Sequence, residues 1–127
     1  MGHYLLSAEA AFSASHTLPG VEKCDRLHGH NWRVRLTVRV EEDGLGREGM
    51  GVDFLIIERA VKDTVDQFDH QYLNDLEPFK GHAPSAERVA QIVARAAADT
   101  LRDAAPNASV HTVEVWELPQ YRVVYQP

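Results

Sequence analysis

The stretch that most constrains the fold of this chain is Cys24-Asp-Arg-Leu-His28-Gly-His30, which runs directly into an alternating segment from Trp32 to Val40. Side chains of a strand alternate between its two faces, so His28 and His30 share the face of Trp32 if the backbone is extended. That face is apolar along the whole segment and is expected to be buried. Two imidazoles at the end of such a face predict a metal site with a thiol beside it. The alternatives are a structural zinc site and two packed histidines near the rim of the core.

A second alternating segment runs from about Tyr4 to His16, and His16 lies on its apolar parity. If this segment pairs with the strand that begins near His28, through the connection Thr17–Leu27, three histidines converge on one side of the sheet. A three-histidine set with an open position is typical of catalytic zinc, whereas structural zinc sites are usually closed by four protein ligands. A single packed histidine is the alternative for His16.

Cys24 is the only cysteine, which excludes an internal disulfide and a cysteine-rich zinc site. It lies in a segment that the Pro19-Gly20 pair marks as a surface loop. The neighbouring Lys23 and Arg26, together with a nearby metal, favour the thiolate, so Cys24 is predicted to act as a base or a nucleophile. The alternative is an inert, buried thiol.

The composition limits the class of protein. With 127 residues, 44% hydrophobic and 25% charged, the chain is expected to form one soluble domain over residues 1–127. It has no apolar run long enough to span a bilayer and no signal-peptide layout, so a cytoplasmic location and no membrane partner are expected. The net charge of −6 argues against a nucleic acid as partner.

The remaining periodicities predict two helices and a C-terminal hairpin. Phe54, Ile57, Val61, Val65 and Phe68 form one helical stripe, with Asp53 as the N-cap. A second helix is predicted from Ser85, its N-cap, to a point before Pro106. Residues 109–117 and 120–125 read as two strands that turn at Leu118-Pro119.

Three further positions are chemical candidates. Asp69-His70 follows the first predicted helix, and a histidine beside a carboxylate is a common proton-transfer pair, although both residues are also frequent at helix ends. Glu117 ends a strand on an apolar face, where a carboxylate needs a partner. That partner is either an arginine of the protein or a ligand with two parallel N–H donors, such as an aminopyrimidinone edge. Capping alone accounts for Ser85.

Together these motifs resemble the 6-pyruvoyl-tetrahydropterin synthase family. The set comprises Phe12-Ser-Ala-Ser-His16, Cys24-x-x-x-His28-Gly-His30, Val52-Asp53-Phe54, Asp69-His70-x-x-Leu73-Asn74 and Trp116-Glu117, in this order. The three-residue gap between Cys24 and His28 is similar to that of the bacterial 6-carboxytetrahydropterin synthase branch, which serves queuosine biosynthesis.

The resemblance implies an α+β T-fold, with a four-stranded antiparallel sheet and two helices on one face, assembled as a homo-oligomer (a trimer or hexamer) with active sites between subunits. It implies that His16, His28 and His30 bind Zn²⁺, that Cys24, Asp69 and His70 are catalytic, and that Glu117 and Ser85 bind the pterin substrate. The implied reaction converts 7,8-dihydroneopterin triphosphate to 6-carboxytetrahydropterin, acetaldehyde and triphosphate. A synthase that makes 6-pyruvoyltetrahydropterin, a related pterin side-chain lyase and a non-catalytic zinc- and pterin-binding module are the alternatives.

Overall fold

One five-stranded sheet and two helices make up the protein, which a computed structural model describes over residues 1–127. The strands are β1 (His3–His16), β2 (His28–Glu41), β3 (Gln71–Tyr72), β4 (Ala108–Leu118) and β5 (Tyr121–Tyr125), and the helices are α1 (Phe54–Val65) and α2 (Ala86–Ala104). The strand order across the sheet is β3-β1-β2-β4-β5. The predicted α+β architecture is confirmed.

The sheet has one strand more than predicted. The four long strands pair antiparallel, as expected, while the two-residue strand β3 runs parallel to the end of β1 at Ala14 and Ser15. Two residues are too short to produce an alternating pattern in the sequence, which is why β3 could not be anticipated. Its position matters because it follows Asp69-His70 directly.

The register between β1 and β2 brings the predicted ligands to one face. His16 is opposite His28, and Ala14 is opposite His30. One pair further along, Phe12 stacks on Trp32 with ring centroids 5.5 Å apart. Since a register shift of one residue would turn every side chain to the other face, the buried Phe12–Trp32 pair also fixes where the histidines lie.

Both helices cover the apolar face of the sheet and begin at the predicted caps. The Asp53 carboxylate accepts a hydrogen bond from the Leu55 amide at 2.9 Å. Helix α1 ends at Val65, and the chain turns there, so Phe68 packs into the core from the turn and not from the predicted helix. Phe54 is 60% exposed, which corrects its assignment to the buried stripe. Neither helix combines the length and the apolar character needed to span a membrane.

The opposite face of the sheet carries charged side chains around one tryptophan. The Arg33 guanidinium lies 3.8 Å from the centre of the Trp116 ring. Glu9 pairs with Arg33 and Arg35, and Glu114 pairs with Arg35. Carboxylates therefore balance the charges of Arg33 and Arg35 on this face.

Candidate metal centre

The three predicted histidine ligands meet at the end of the sheet where β1 stops and β2 starts. One nitrogen from each of His16, His28 and His30 lies within 4.8 Å of the others. His16 is completely buried, and the other two are half-buried. Strand parity and pairing register account for this convergence, because the histidines end the same face that forms the core.

Hydrogen bonds to main-chain carbonyl groups set the protonation of two of these rings. His16 Nδ1 lies 2.8 Å from the Pro84 carbonyl oxygen, and His28 Nδ1 lies 2.7 Å from the Arg26 carbonyl oxygen. A carbonyl oxygen only accepts, so in both rings Nδ1 carries the proton and donates it. In the neutral imidazole Nε2 then holds the lone pair, as a metal ligand requires.

The residues present fit a divalent metal ion. Nε2 of His16 and Nε2 of His30 are buried side-chain atoms without any hydrogen-bond partner in the protein. Burial lowers the pKa of His16, and burial together with the neighbouring His16 and His28 lowers the pKa of His30 to about 4. Both shifts favour the neutral form of these two rings. Three imidazoles that each offer one nitrogen to the same point are a ligand set that zinc accepts.

Glu117 faces this cluster from the end of β4. Its two carboxylate oxygens lie 3.9 Å from Nε2 of His16 and from Nε2 of His30, which is too long for direct hydrogen bonds. Burial raises the pKa of the Glu117 carboxyl, the nearby His28 lowers it and the nearby Glu87 raises it. No arginine pairs with Glu117, so the partner-arginine alternative is not what the structure contains.

A cavity of about 220 Å³ lies between the start of α2 and the end of the sheet, and Ser85, Glu87 and Glu117 all line it. The Ser85 hydroxyl oxygen caps α2 by accepting from the Arg88 amide at 3.2 Å, which leaves the hydroxyl proton available to a ligand.

Glu87 was not predicted as a site residue. Its exposed position in the first turn of α2 looks like an ordinary favourable helix charge, and only the packing of α2 on β4 places it near Glu117.

Cys24 lies in the loop that joins the two histidine-bearing strands. It is half-buried, and its carbonyl oxygen accepts a hydrogen bond from the Leu18 amide at 2.7 Å, which closes the loop on itself. The preceding Lys23 has a φ of 65°. The set of converging metal ligands contains the three histidines and not Cys24. The thiol therefore remains a candidate for chemistry beside the metal site and not for binding the metal.

Asp69 and His70 form a dyad, but the structure does not bring it to the histidines of the same chain. His70 Nδ1 lies 2.9 Å from the Asp69 carboxylate, and the other Asp69 oxygen accepts from the Ser13 amide at 2.9 Å. These two contacts lower the pKa of Asp69, the Ser13 bond most. His70 is exposed and borders a cavity with Ser13 and Asn31, whose side chains point to the sheet face opposite the metal ligands. No hydrogen bond or ion pair joins the dyad to the three histidines.

Known proteins are similar to this chain in sequence and in fold. The profile of the 6-pyruvoyl tetrahydropterin synthase family matches residues 5–127. The 6-carboxy-5,6,7,8-tetrahydropterin synthase of Bacillus subtilis is 31% identical over 131 residues, covering 96% of this chain and 84% of that protein. A relative from Archaeoglobus fulgidus is 37% identical over 73 residues, which span 56% of this chain but only 59% of the relative.

Solved structures agree on the fold. The structure of Caenorhabditis elegans 6-pyruvoyl tetrahydropterin synthase superimposes with a TM-score of 0.84 over 100% of this chain and 97% of that one, at 22% identity. At this identity the match establishes the fold alone, and it confirms the predicted T-fold with β3 as a short addition. Because the profile spans nearly the whole sequence and the fold agrees with it, the chain belongs to the 6-pyruvoyl tetrahydropterin synthase family.

Proposed function

We propose that the protein is a zinc-dependent 6-carboxy-5,6,7,8-tetrahydropterin synthase that converts 7,8-dihydroneopterin triphosphate and one water molecule to 6-carboxytetrahydropterin, acetaldehyde and triphosphate. The observation that carries this proposal is the pair of unpartnered Nε2 atoms of His16 and His30 that face the Glu117 carboxylate across 3.9 Å. This arrangement supports a metal ion bound by the histidines, with a carboxylate beside it that is suited to bind a pterin ring. The Bacillus subtilis relative of that name supports the choice of reaction.

In this proposal Glu117 fixes the substrate. A carboxylate accepts two parallel N–H donors at once, and the edge of an aminopyrimidinone ring offers such a pair. Glu117 is only 24% exposed, so these hydrogen bonds form in a partly desolvated place where they are stronger than in water. Ser85 contributes its free hydroxyl proton to a polar atom of the ring from the same cavity.

His16, His28 and His30 would hold the zinc ion, and a Lewis acid bound there would polarise oxygens of the substrate side chain and make the adjacent C–H and O–H protons more acidic. The protein groups move those protons. Cys24 is the proposed general base, because it lies in the loop that starts and ends at metal ligands and has cationic neighbours.

The Asp69–His70 dyad is the proposed second proton-transfer group. Because the Asp69 carboxylate accepts from His70 Nδ1, the imidazole is held with Nε2 outward, ready to take or give a proton. The exposed position of His70, away from the histidines of its own chain, supports a site completed by a second subunit. We therefore also propose that the active form is a homo-oligomer with sites between subunits.

A product assay tests the proposal. Zinc-loaded protein is incubated with 7,8-dihydroneopterin triphosphate, and acetaldehyde and the mass of the pterin product are measured. The expected products are acetaldehyde and 6-carboxytetrahydropterin. A pyruvoyl product without acetaldehyde contradicts the carboxy reaction and identifies a 6-pyruvoyltetrahydropterin synthase.

The variant Cys24→Ala separates an enzyme from a non-catalytic binding module. Because Cys24 is not among the converging metal ligands, the variant is expected to keep wild-type zinc content, measured by elemental analysis, and to lose turnover. A variant that behaves like the wild type in both measurements contradicts the assignment of Cys24 as the base.

A further inference from the structure

The side chain of Asn74 binds the main chain of Thr17 at two points. Asn74 Oδ1 accepts from the Thr17 amide at 3.0 Å, and Nδ2 donates to the Thr17 carbonyl oxygen at 3.1 Å. Nδ2 also lies 3.1 Å from the Thr17 hydroxyl. One amide thus satisfies both main-chain groups of a single residue, which fixes the position and the orientation of the peptide units on either side of Thr17.

Thr17 is the junction between two parts of the candidate site. It follows His16, the fully buried metal-ligand candidate that ends β1. It precedes Leu18, whose amide donates to the carbonyl oxygen of Cys24 at 2.7 Å. A displacement of Thr17 is therefore passed on to a metal ligand on one side and to the loop that carries the thiol on the other.

Asn74 itself is held firmly. It lies in the single-turn 3₁₀ helix Leu73–Asp75, which is anchored by the completely buried Leu73. The preceding Tyr72 pairs with Ser15 in the sheet, and its hydroxyl lies 3.1 Å from the Thr17 hydroxyl. Two of these contacts, the burial of Leu73 and the pairing of Tyr72 with Ser15, do not involve Thr17. They hold the segment that carries Asn74, which makes Asn74 the fixed partner and Thr17 the positioned one.

From this geometry we infer that Asn74 is a positioning residue, which sets the place of His16 for metal binding and of the Cys24 loop for proton transfer. Its importance for turnover and for zinc affinity rests on the proposed function, whereas its effect on the thiol does not. Groups that orient a ligand from outside typically change metal affinity by 10–100-fold when removed. Because Asn74 acts one residue away from His16, the lower end of that range, about tenfold, is expected.

The chain offers a matched control in Asn107. Its amide also spans two main-chain carbonyl oxygens, those of Gly44 at 3.0 Å and Gly51 at 2.8 Å. It precedes β4, whose first residue Ala108 pairs with Val40, so it lies at the other end of the sheet from the histidines. Asn107→Ala therefore removes a similar pair of side-chain bonds to the main chain without touching the candidate site.

The experiment compares Asn74→Ala with Asn107→Ala. Zinc affinity is measured by competition with a chromogenic chelator, and the reactivity of Cys24 is measured as the rate of its reaction with a disulfide reagent in the metal-free protein. Asn74→Ala is expected to weaken zinc binding about tenfold and to speed the reaction of the half-buried thiol, because the loop is released. Asn107→Ala is expected to change neither. If both readouts stay at the wild-type value in Asn74→Ala, the inference is wrong.

A second variant covers the case in which Asn74→Ala does not fold. Asn74→Asp keeps the shape and the acceptor for the Thr17 amide but places a carboxylate oxygen against the Thr17 carbonyl oxygen. It is expected to shift both readouts in the same direction as Asn74→Ala, and wild-type values in Asn74→Asp overturn the inference. Neither readout uses a pterin, so a wild-type protein without the proposed turnover would refute the proposed function and leave this comparison intact.

Discussion

The hydrogen bonds behind the metal-ligand candidates decide what the rings can do. Because His16 and His28 donate from Nδ1 to carbonyl oxygens, their Nε2 atoms are the only ring nitrogens free to bind a metal. His30 reaches the same outcome by burial, which leaves its Nε2 without a partner in the protein. The site thus presents three converging nitrogens to a cation, and burial disfavours a proton on the rings of His16 and His30.

The low pKa of His30 predicts how the metal-free protein responds to acid. Its folded-state pKa of about 4 lies below the ordinary value of 6.5, so the unfolded chain binds the proton more readily. The contribution of His30 to the free energy of unfolding is fully present above pH 6.5. It is lost as the pH is lowered towards 4, and the loss amounts to at most about 3 kcal/mol. Chemical denaturation across this pH range measures the change.

His30→Gln serves as the control for the acid response. It removes the titrating group and retains a side chain of similar size, so its loss of stability between pH 6.5 and pH 4 is expected to be smaller than that of the wild type. Equal slopes for the two proteins would show that His30 is not the group responsible. His16, whose pKa is lowered in the same direction by burial, accounts for the acid sensitivity that remains.

Glu117→Gln tests the proposed recognition of the pterin ring. The amide accepts at one oxygen only and turns an N–H towards the second donor of the ring, so a hydrogen bond to a charged group is lost. Such bonds contribute about 1.5–3 kcal/mol, which corresponds to a loss of roughly tenfold or more in affinity for 7,8-dihydroneopterin, measured by fluorescence titration.

Glu114→Gln is the matched control on the same strand. Glu114 lies on the opposite face, where it pairs with Arg35 and Arg122. Its replacement is expected to leave the affinity for the pterin unchanged. If the two variants bind equally well, Glu117 does not hold the ring.

At the scale of elements, the alternation of side chains along strands predicted correctly which residues share a face, whereas the sequence pattern did not predict where helix α1 ends. The alternation in β1 and β2 was enough to place three histidines on the face of Trp32, and the pairing confirmed it. The end of α1 was misjudged because Phe68 continues the helical spacing while lying in a turn. Strand β3 and the contact between His16 and the Pro84 carbonyl oxygen depend on segments that are far apart in the sequence, which a local pattern does not encode.

A glycine substitution tests how the loop 42–53 packs on β2. A Cβ on Gly51 would lie 3.0–3.2 Å from three side-chain atoms of Val40, so the completely buried Val40 would have to shift by a fraction of an ångström inside the core. Gly51→Ala is therefore expected to reduce the free energy of unfolding by about 1–3 kcal/mol, the usual result of overpacking. Thermal and denaturant unfolding measure it.

Gly29→Ala is the contrasting case, although Gly29 lies between two metal-ligand candidates. A Cβ there would meet only the Ala14 carbonyl oxygen at 3.6 Å, an ordinary contact, and the backbone is extended. Stability and zinc affinity are expected to match the wild type. A clear loss of either in Gly29→Ala would mean that the glycine has a role that its surroundings in this chain do not explain.

At the scale of the whole molecule, the candidate site is divided. The three metal-ligand candidates lie with Glu117 and the Cys24 loop on the helix-covered face and its rim, whereas the Asp69–His70 dyad lies at the outer edge of β1 and borders the opposite face. The sequence motifs predicted every one of these residues as a candidate. The order of the motifs along the chain does not show whether the residues meet within one subunit. Only the sheet topology separates the dyad from the metal ligands.

This division predicts complementation between two inactive variants. His28→Ala lacks a metal ligand and His70→Ala lacks the dyad, so each is expected to be inactive alone. If a site takes its metal ligands from one chain and its dyad from another, oligomers assembled from both variants contain some sites with all groups intact. Co-expression of the two variants is therefore expected to restore part of the turnover, measured on purified oligomers whose mass is determined by light scattering.

The control pair is His28→Ala with Cys24→Ala. Cys24 lies in the loop that connects the two histidine-bearing strands, so both substitutions damage the same part of the site. If each site takes its three histidines and its cysteine from one chain, no mixed oligomer of these two variants contains an intact site. Recovery in the first pair and none in the control pair supports a shared site. If the first pair stays inactive while both variants enter the same oligomers, the dyad acts within its own chain or not at all, and the proposed site between subunits is wrong.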